Sequence, residues 1–292
     1  MDKYLSAFIK IQSVKIYCLI FYPQQYALPK TTKKCANTQS NRRKKCELLS
    51  LAKLCWNTRP THQHLAYGGD TLNTAIHLAR IGHHVQYISA LGRDPISAAL
   101  RQTWRNEGID TQYVLVHPSR QPGIYAIHND ETGERSFLYW RNQSAAKDMF
   151  SLPDIDTALA ALKDADLFYY SLITLAILPD EARHRLLQAT RDFVAQGGRF
   201  AFDGNYRPTL WDSHDQAVGF CQAAAAIATI GLPTSSDECL MHSKVLSAED
   251  VAQIWLHSGT KELAVKTGPD GCLVATAESR ESILPPPQAK VV

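Results

Sequence analysis

The chain has 292 residues, 45% of them apolar and 20% charged, with a formal net charge of +3. That composition supplies enough apolar surface for one large or two small folded domains and excludes a disordered polyelectrolyte. The near-neutral total conceals two unlike parts: residues 1–60 hold twelve Lys and Arg against two acidic residues, and the remainder holds nineteen against twenty-six.

In the first part, the apolar run Ile16-Tyr17-Cys18-Leu19-Ile20-Phe21-Tyr22 is shorter than the roughly 20 residues a bilayer crossing needs, and Lys10 and Lys15 interrupt its upstream side. No small-residue cleavage site follows it, and residues 30–45 are basic, polar and without periodicity. Arg42-Arg43-Lys44-Lys45 reads as a solvated run in preference to a nucleic-acid patch. Neither a membrane nor a nucleic-acid partner is expected. The seven cysteines show no CxxC and no zinc spacing, and their odd number argues against a disulfide framework. A reducing, cytoplasmic setting follows.

Patterned sequence begins near His64. Gly68-Gly69-Asp70-Thr71-Leu72-Asn73 runs straight into a helix. Glycines admit close approach of a ligand to the backbone, and free N–H groups at a helix start favour oxygen-rich groups. Asp70 or Thr71 is the expected cap. Leu72, Ala75, Ile76 and Ala79 make one apolar stripe, and Gly82 is the stop signal. A lone Gly-Gly-Asp also suits an ordinary strand-to-helix turn. Residues 85–88 read as a strand, 91–94 as a turn, and Pro95 opens a helix with Ile96, Leu100 and Trp104 inward. From 113 to 141 the pattern changes to short strands about a turn at Glu131-Thr132-Gly133-Glu134, which predicts an antiparallel flap that closes over a site.

Alternation then resumes with strand 167–170, helix 179–195, strand 200–203, an Ala-rich helix through 223–226, a strand to Leu232, helix 248–257, strand 263–266, a turn at 267–271 and strand 272–276. Alternating strands and helices predict an α/β fold with a parallel sheet covered by helices. Ligands in such sheets sit beyond the carboxyl ends of strands, a place occupied here by Asp203-Gly204-Asn205-Tyr206-Arg207-Pro208.

Arg141 and Arg207 each end a strand beside an aromatic residue. A guanidinium fork matches carboxylate or phosphate. Singly, each equals a surface ion pair worth about 0–1 kcal/mol, so their weight comes from placement alongside the diglycine. Lys266-Thr267-Gly268-Pro269-Asp270-Gly271 offers glycines against which a nucleotide fits, while GxxxxGK[ST], GxGxxG and HExxH are all missing. Glu238, with Asp237 and Ser235, either orients a hydrated Mg²⁺ or simply begins a helix. The eleven histidines lack acidic or cysteine partners at ligand spacing.

Taken in order, Gly68-Gly69-Asp70-Thr71-Leu72-Asn73-Thr74, Thr132-Gly133-Glu134-Arg135, Tyr139-Trp140-Arg141-Asn142, Leu175-Ala176-Ile177-Leu178, Asn205-Tyr206-Arg207-Pro208 with Trp211, and Val265-Lys266 before the Gly268 turn resemble the ribokinase-like (PfkB) sugar kinases, and within them the branch acting on 2-keto-3-deoxygluconate. The resemblance runs from about His64 to Val292. It implies a three-layer αβα sandwich with a small β lid, and ATP-dependent phosphorylation of the sugar acid's terminal hydroxyl with Mg²⁺. By position, Gly68, Gly69, Asp70, Asn73, Tyr125, Tyr139, Arg141 and Arg207 would hold the sugar acid. Asn205, Tyr206, Arg207, Ser235, Lys266, Thr267, Gly268 and Gly271 would line the ATP side, and Glu238 would serve the metal. Lid strands often pair two copies in this family, so a homodimer through the lid is implied.

Three departures qualify the resemblance. Family members carry a Gly-Ala-Gly-Asp-like segment whose Asp is the catalytic base. That segment is expected beyond Val292, so the supplied chain is expected to be inactive. Leu172 stands where a glycine is usual after Ser171 and is expected to crowd the sugar pocket, and Ser235 replaces a common asparagine. The family also opens with a strand ending Gly-Glu-x-Met-x-Glu. Here Ala52-Lys53-Leu54-Cys55-Trp56-Asn57-Thr58 can decode as Gly-Glu-Ala-Met-Leu-Glu-Tyr if each codon takes its first base from the preceding one, with Leu and Glu forced by the codons for Cys, Trp and Asn and the others allowed by permitted codon choices. Residues 1–58 are therefore expected to be a non-homologous, out-of-frame segment, and 59–292 the kinase domain. The alternatives are a kinase for a neutral sugar such as fructose or ribose, and a non-catalytic sugar-binding or dimerising remnant.

Overall fold

A computed structural model describes residues 45–49, 53–59, 62–129, 135–140 and 142–284; between 45 and 66 and between 126 and 139 the backbone alone is described. In chain order the strands are β1 (Lys45–Leu49), β2 (Lys53–Arg59), β3 (His62–Gly68), β4 (His84–Leu91), β5 (Ile109–Asp110), β6 (Val114–Val116), β7 (Gly123–Asn129), β8 (Arg135–Trp140), β9 (Leu167–Ser171), β10 (Arg199–Asp203), β11 (Ile230–Gly231), β12 (Glu262–Lys266), β13 (Cys272–Thr276) and β14 (Arg280–Ile283). The helices are α1 (Asp70–Arg80), α2 (Pro95–Asn106), α3 (Ile155–Ala160), α4 (Leu172–Ile177), α5 (Asp180–Ala195), α6 (His214–Ala225), α7 (Ser235–His242) and α8 (Ala248–Ser258).

Ten strands form one sheet, ordered β14-β13-β12-β11-β10-β9-β1-β4-β5 with β6 also on β4. From β5 to β12 the neighbours are parallel, and β13 and β14 close the far edge antiparallel. Successive side chains on a strand face opposite ways, and here each face feeds its own core cluster. Phe168, Tyr170, Phe200, Phe202 and Val265 join one cluster, and Tyr169, Ala201 and Ala264 the other. Both faces are thus dry, as parallel strands between helical layers require. Leu72, Ala75, Ile76 and Leu78 of α1 cover one side, and Leu186, Leu187 and Phe193 of α5 with Val251, Ala252 and Trp255 of α8 cover the other. The expected three-layer α/β arrangement is what these residues build.

Local signals worked where side-chain chemistry was short-range. Beyond α1, Gly82 at φ 95° donates its N–H to Ala79, and the His83 N–H returns to Leu78, which closes the helix through a left-handed residue. In α2 the inward face differs from the expectation. Leu100 and Trp104 are buried, but Ile96 is 41% exposed and Ser97 takes the inner position. The cause is the cap: the Asp94 carboxylate accepts both the Ser97 N–H (2.9 Å) and the Ser97 hydroxyl (2.6 Å), which fixes the rotation of the first turn.

A second, four-stranded sheet has the order β3-β2-β7-β8, with β7 and β8 antiparallel as the flap pattern predicts. Its membership differs from the 113–141 boundary in two ways. β6 pairs with β4 in the large sheet, because Val114 and Leu115 are buried there, and β2 and β3 join the flap from the amino-terminal side. The turn at 131–134 lies outside the described residues. β1 and β2 also fall inside the 1–58 segment set apart in the sequence, with β1 between β4 and β9 in the large sheet. No described helix is long and apolar enough to cross a membrane, and among the described residues Cys221 and Cys239 are free thiols.

Close packing at β11 yields a direct prediction. A Cβ on Gly231 would lie 2.7 Å from the Trp255 indole and 3.0 Å from Thr260 Cγ2. Gly231→Ala is expected to destabilise the protein by about 1–3 kcal/mol through overpacking, seen as a lower urea midpoint at unchanged slope.

Candidate active site

The carboxyl ends of β9, β10, β11 and β12 lie side by side, with Ser171 opposite Asp203 and Phe202 opposite Gly231. The β3-to-α1 turn brings Asp70 onto this rim. Gly69 is the N-cap at φ 154°, a conformation L side chains rarely adopt. Neither Asp70 nor Thr71 caps the helix, which corrects that expectation, because both side chains are engaged elsewhere. The Asp70 carboxylate accepts a short hydrogen bond from the Ser171 hydroxyl and a 3.4 Å bond from the Asn205 amide. The Thr71 hydroxyl instead meets the Tyr87 phenol at 3.5 Å.

Other residues assigned to the sugar side distribute as follows. Gly68 is buried, with the Tyr125 hydroxyl 3.1 Å from the place a Cβ would take, so diglycine and Tyr125 do meet. Asn73 is exposed on α1. Tyr139 stands opposite Tyr125 in the β7–β8 register, and Arg141 lies outside the described residues. Leu172 is fully buried in the larger core cluster, so the expected crowding of a sugar pocket does not arise: its apolar side chain packs under the rim.

Beneath the rim sits a buried polar network. Lys266 Nζ donates to Asp203 Oδ1 at 2.7 Å, with side chains only 7% and 4% exposed. The Asn205 N–H reaches the same oxygen at 3.2 Å, and the Tyr169 hydroxyl donates to Oδ2 at 3.5 Å. Burial, reinforced by the Asp203 and Asp70 charges, pushes the Tyr169 phenol well above its ordinary pKa, so it stays a neutral donor. Lys266 therefore reaches the site already paired with a carboxylate.

On the other flank, Arg207 Nη1 lies 3.3 Å from both oxygens of Asp237. Burial raises the Asp237 carboxyl pKa, and the Arg207 charge works against that rise. Tyr206, assigned to the ATP side, has its ring in the larger core cluster at 4% exposure; that assignment is corrected, because burial of the ring outweighs presentation at the surface. Glu238 is 1% exposed, with Oε2 3.6 Å from His242 Nε2 and Oε1 without a hydrogen-bond partner among the described residues. The contact with His242 raises the His242 pKa. Ser235, the first residue of α7, also has a buried hydroxyl with no partner among the described residues. Thr267, Gly268 and Gly271 form a closed turn after β12, the Thr267 N–H donating to Gly271 at 3.0 Å.

Residues 46–292 match the pfkB family of carbohydrate kinases. The chain belongs to that family. It is 38% identical over 234 residues to 2-dehydro-3-deoxygluconokinase of Haemophilus influenzae, covering 78% of this chain and 74% of the relative. Among solved structures, a PfkB protein from Polaromonas sp. JS666 aligns with a TM-score of 0.72 at 24% identity, covering 82% of this chain and 81% of that one. Aminoimidazole riboside kinase from Salmonella enterica, complexed with aminoimidazole riboside and an ATP analogue, aligns with a TM-score of 0.70 at 23% identity, covering 85% and 78%. This pfkB-family match begins at residue 46, one position into β1.

One residue of the rim, Ser171, was not assigned to the site from sequence, although it is the first polar residue after the apolar strand run Leu-Phe-Tyr-Tyr. That signal is the one that placed Asp203 at a strand end, where ligands gather.

Proposed function

We propose that this pfkB-family chain binds 2-keto-3-deoxygluconate and ATP at the β9–β12 rim and is built to transfer a phosphoryl group to the terminal hydroxyl of the sugar acid. The observation that carries this reading is the junction of Asp70, Ser171 and Asn205, three groups from separate strand and loop ends, with the Asp203–Lys266 pair beside it. A carboxylate among donors suits sugar hydroxyls, and phosphoryl transfer depends on positioning and charge stabilisation more than on covalent help. The name of the Haemophilus influenzae relative supports the sugar acid, and the ATP analogue in the riboside kinase structure supports the nucleotide.

Within this reading Asp70 accepts sugar hydroxyls, Arg207 turns from Asp237 toward the substrate's anionic groups, and the Thr267–Gly271 turn with Ser235 receives phosphates. The orphaned Glu238 oxygen fits a water-bridged Mg²⁺, an ion that keeps several waters and binds through one or two carboxylates plus phosphates. Bound Mg²⁺ supplies neutralisation of phosphate charge. The small sheet serves as the lid, and its Trp140, 60% exposed, suits pairing with a second copy.

Calorimetry with 2-keto-3-deoxygluconate, fructose, ribose and ATP tests the reading, with ADP release followed in parallel. Saturable binding of the sugar acid in preference to the neutral sugars is expected. Preference for fructose or ribose, or a folded protein that binds no sugar, overturns it. Sugar-acid and ATP binding without ADP formation selects the non-catalytic alternative.

A further inference from the structure

Both partners of Asp70 belong to segments that end on one buried side chain, Arg183 of α5. Arg183 is 6% exposed. Nε donates to the Leu175 carbonyl at 2.9 Å and Nη2 to the Ala176 carbonyl at 3.2 Å, which caps the carboxyl end of α4. α4 is six residues long and starts directly after Ser171. The other side of the guanidinium lies 5.0 Å from the centre of the Trp211 ring and 5.3 Å from that of Phe220, and these two rings stack 5.9 Å apart at 26°. Trp211 ends the short helical turn at Pro208–Leu210, its N–H bonded to Pro208, and the Leu210 N–H returns to Arg207. Asn205 and Arg207 sit at the head of that segment.

We propose that Arg183 is a positioning residue for the sugar site: it ties the end of α4 to Trp211 and so sets Ser171 and Asn205 against Asp70. The planar fork explains why arginine occupies the place. Two carbonyls are met by donors in one plane while the flat faces remain for aromatic rings, a combination an ammonium does not offer. Asp180 Oδ1, 3.6 Å from Nη1, is the carboxylate beside it. Of the residues the resemblance places on the ATP side, Asn205 and Arg207 lie in the tied segment, whereas Lys266, Gly268 and Gly271 lie on β12 and the turn after it; because Asn205 is bonded to Asp70, the larger effect falls on sugar.

This inference rests on the sugar-kinase reading, and its test separates the two. In Arg183→Met and Arg183→Lys, the Kd for 2-keto-3-deoxygluconate is expected to rise about tenfold with the Kd for ATP changed much less, and lysine is expected not to rescue. Trp211→Leu, which leaves the α4 cap in place, is expected to show the same split. Folded variants with unchanged sugar Kd, or with sugar and ATP binding lost in step, overturn the proposal. If the parent chain binds no sugar, the function reading fails, and amide hydrogen exchange decides this one. Faster exchange in residues 171–177 and 205–211 together, with β12 and β13 unchanged, supports the tie; a change confined to one segment, or none, overturns it.

Discussion

Asp203→Ala is expected to cost about 3–5 kcal/mol of stability, because it takes from the buried Lys266 ammonium the carboxylate that accepts its 2.7 Å hydrogen bond. For a domain of this size that is a fall in Tm of roughly 6–20 °C. The penalty belongs to the buried charge left behind more than to the pair, since burying two ions costs nearly what their attraction returns. The double variant Asp203→Leu/Lys266→Met is therefore expected to recover most of the lost stability while leaving ATP binding weakened. Differential scanning calorimetry on the parent, both single variants and the double variant measures this as a coupling energy. Single variants that each lose less than about 1 kcal/mol would show that water reaches the pair and that the burial is not felt.

Asp70→Ala is expected to act on ligand first. Loss of one charge-assisted hydrogen bond to a sugar hydroxyl costs about 1.5–3 kcal/mol, so the Kd for the sugar acid rises roughly 10- to 150-fold. Stability also falls, by about 1–3 kcal/mol, because the fully buried Ser171 hydroxyl loses its acceptor. Asp70→Asn separates the two effects: its amide oxygen still accepts from Ser171, so stability returns while affinity stays reduced. Calorimetric titration beside urea unfolding of both variants checks the split. Unchanged sugar affinity in Asp70→Ala would remove Asp70 from the binding surface and leave it a structural tie between α1 and β9.

Much of the architecture was readable because its causes are short-range. Apolar runs of strand length, the stop at Gly82, the proline opening α2 and the glycine turn after β12 each act within a few residues. What escaped reading depends on partners far along the chain. Ile96 looked inward by periodicity, but the Asp94–Ser97 cap set the helix phase. β6 looked like part of the flap, yet its apolar residues found the edge of β4. Within the site, Gly68 lies beside Tyr125, and Asp70 meets Ser171 and Asn205. The Lys266–Asp203 and Arg207–Asp237 pairs did not announce themselves, since charges 63 and 30 residues apart carry no pattern that marks them as neighbours. Tyr206 stands beside two site residues in sequence, yet its ring packs into the larger core cluster, a contact made with distant residues.

The three groups that meet at positions 70, 171 and 205 are separated by 101 and 135 residues from the first to each of the others. Ser171 and Asn205 come from the two ends of one β9-to-β10 crossover, but Asp70 must reach them from more than a hundred residues away, so the recognition centre cannot exist in a half-built chain. Contacts of such long range form late and slowly, and the capacity to grip a metabolite is then a certificate of completed folding: whatever fraction of molecules responds to sugar is the fraction that has reached the native topology.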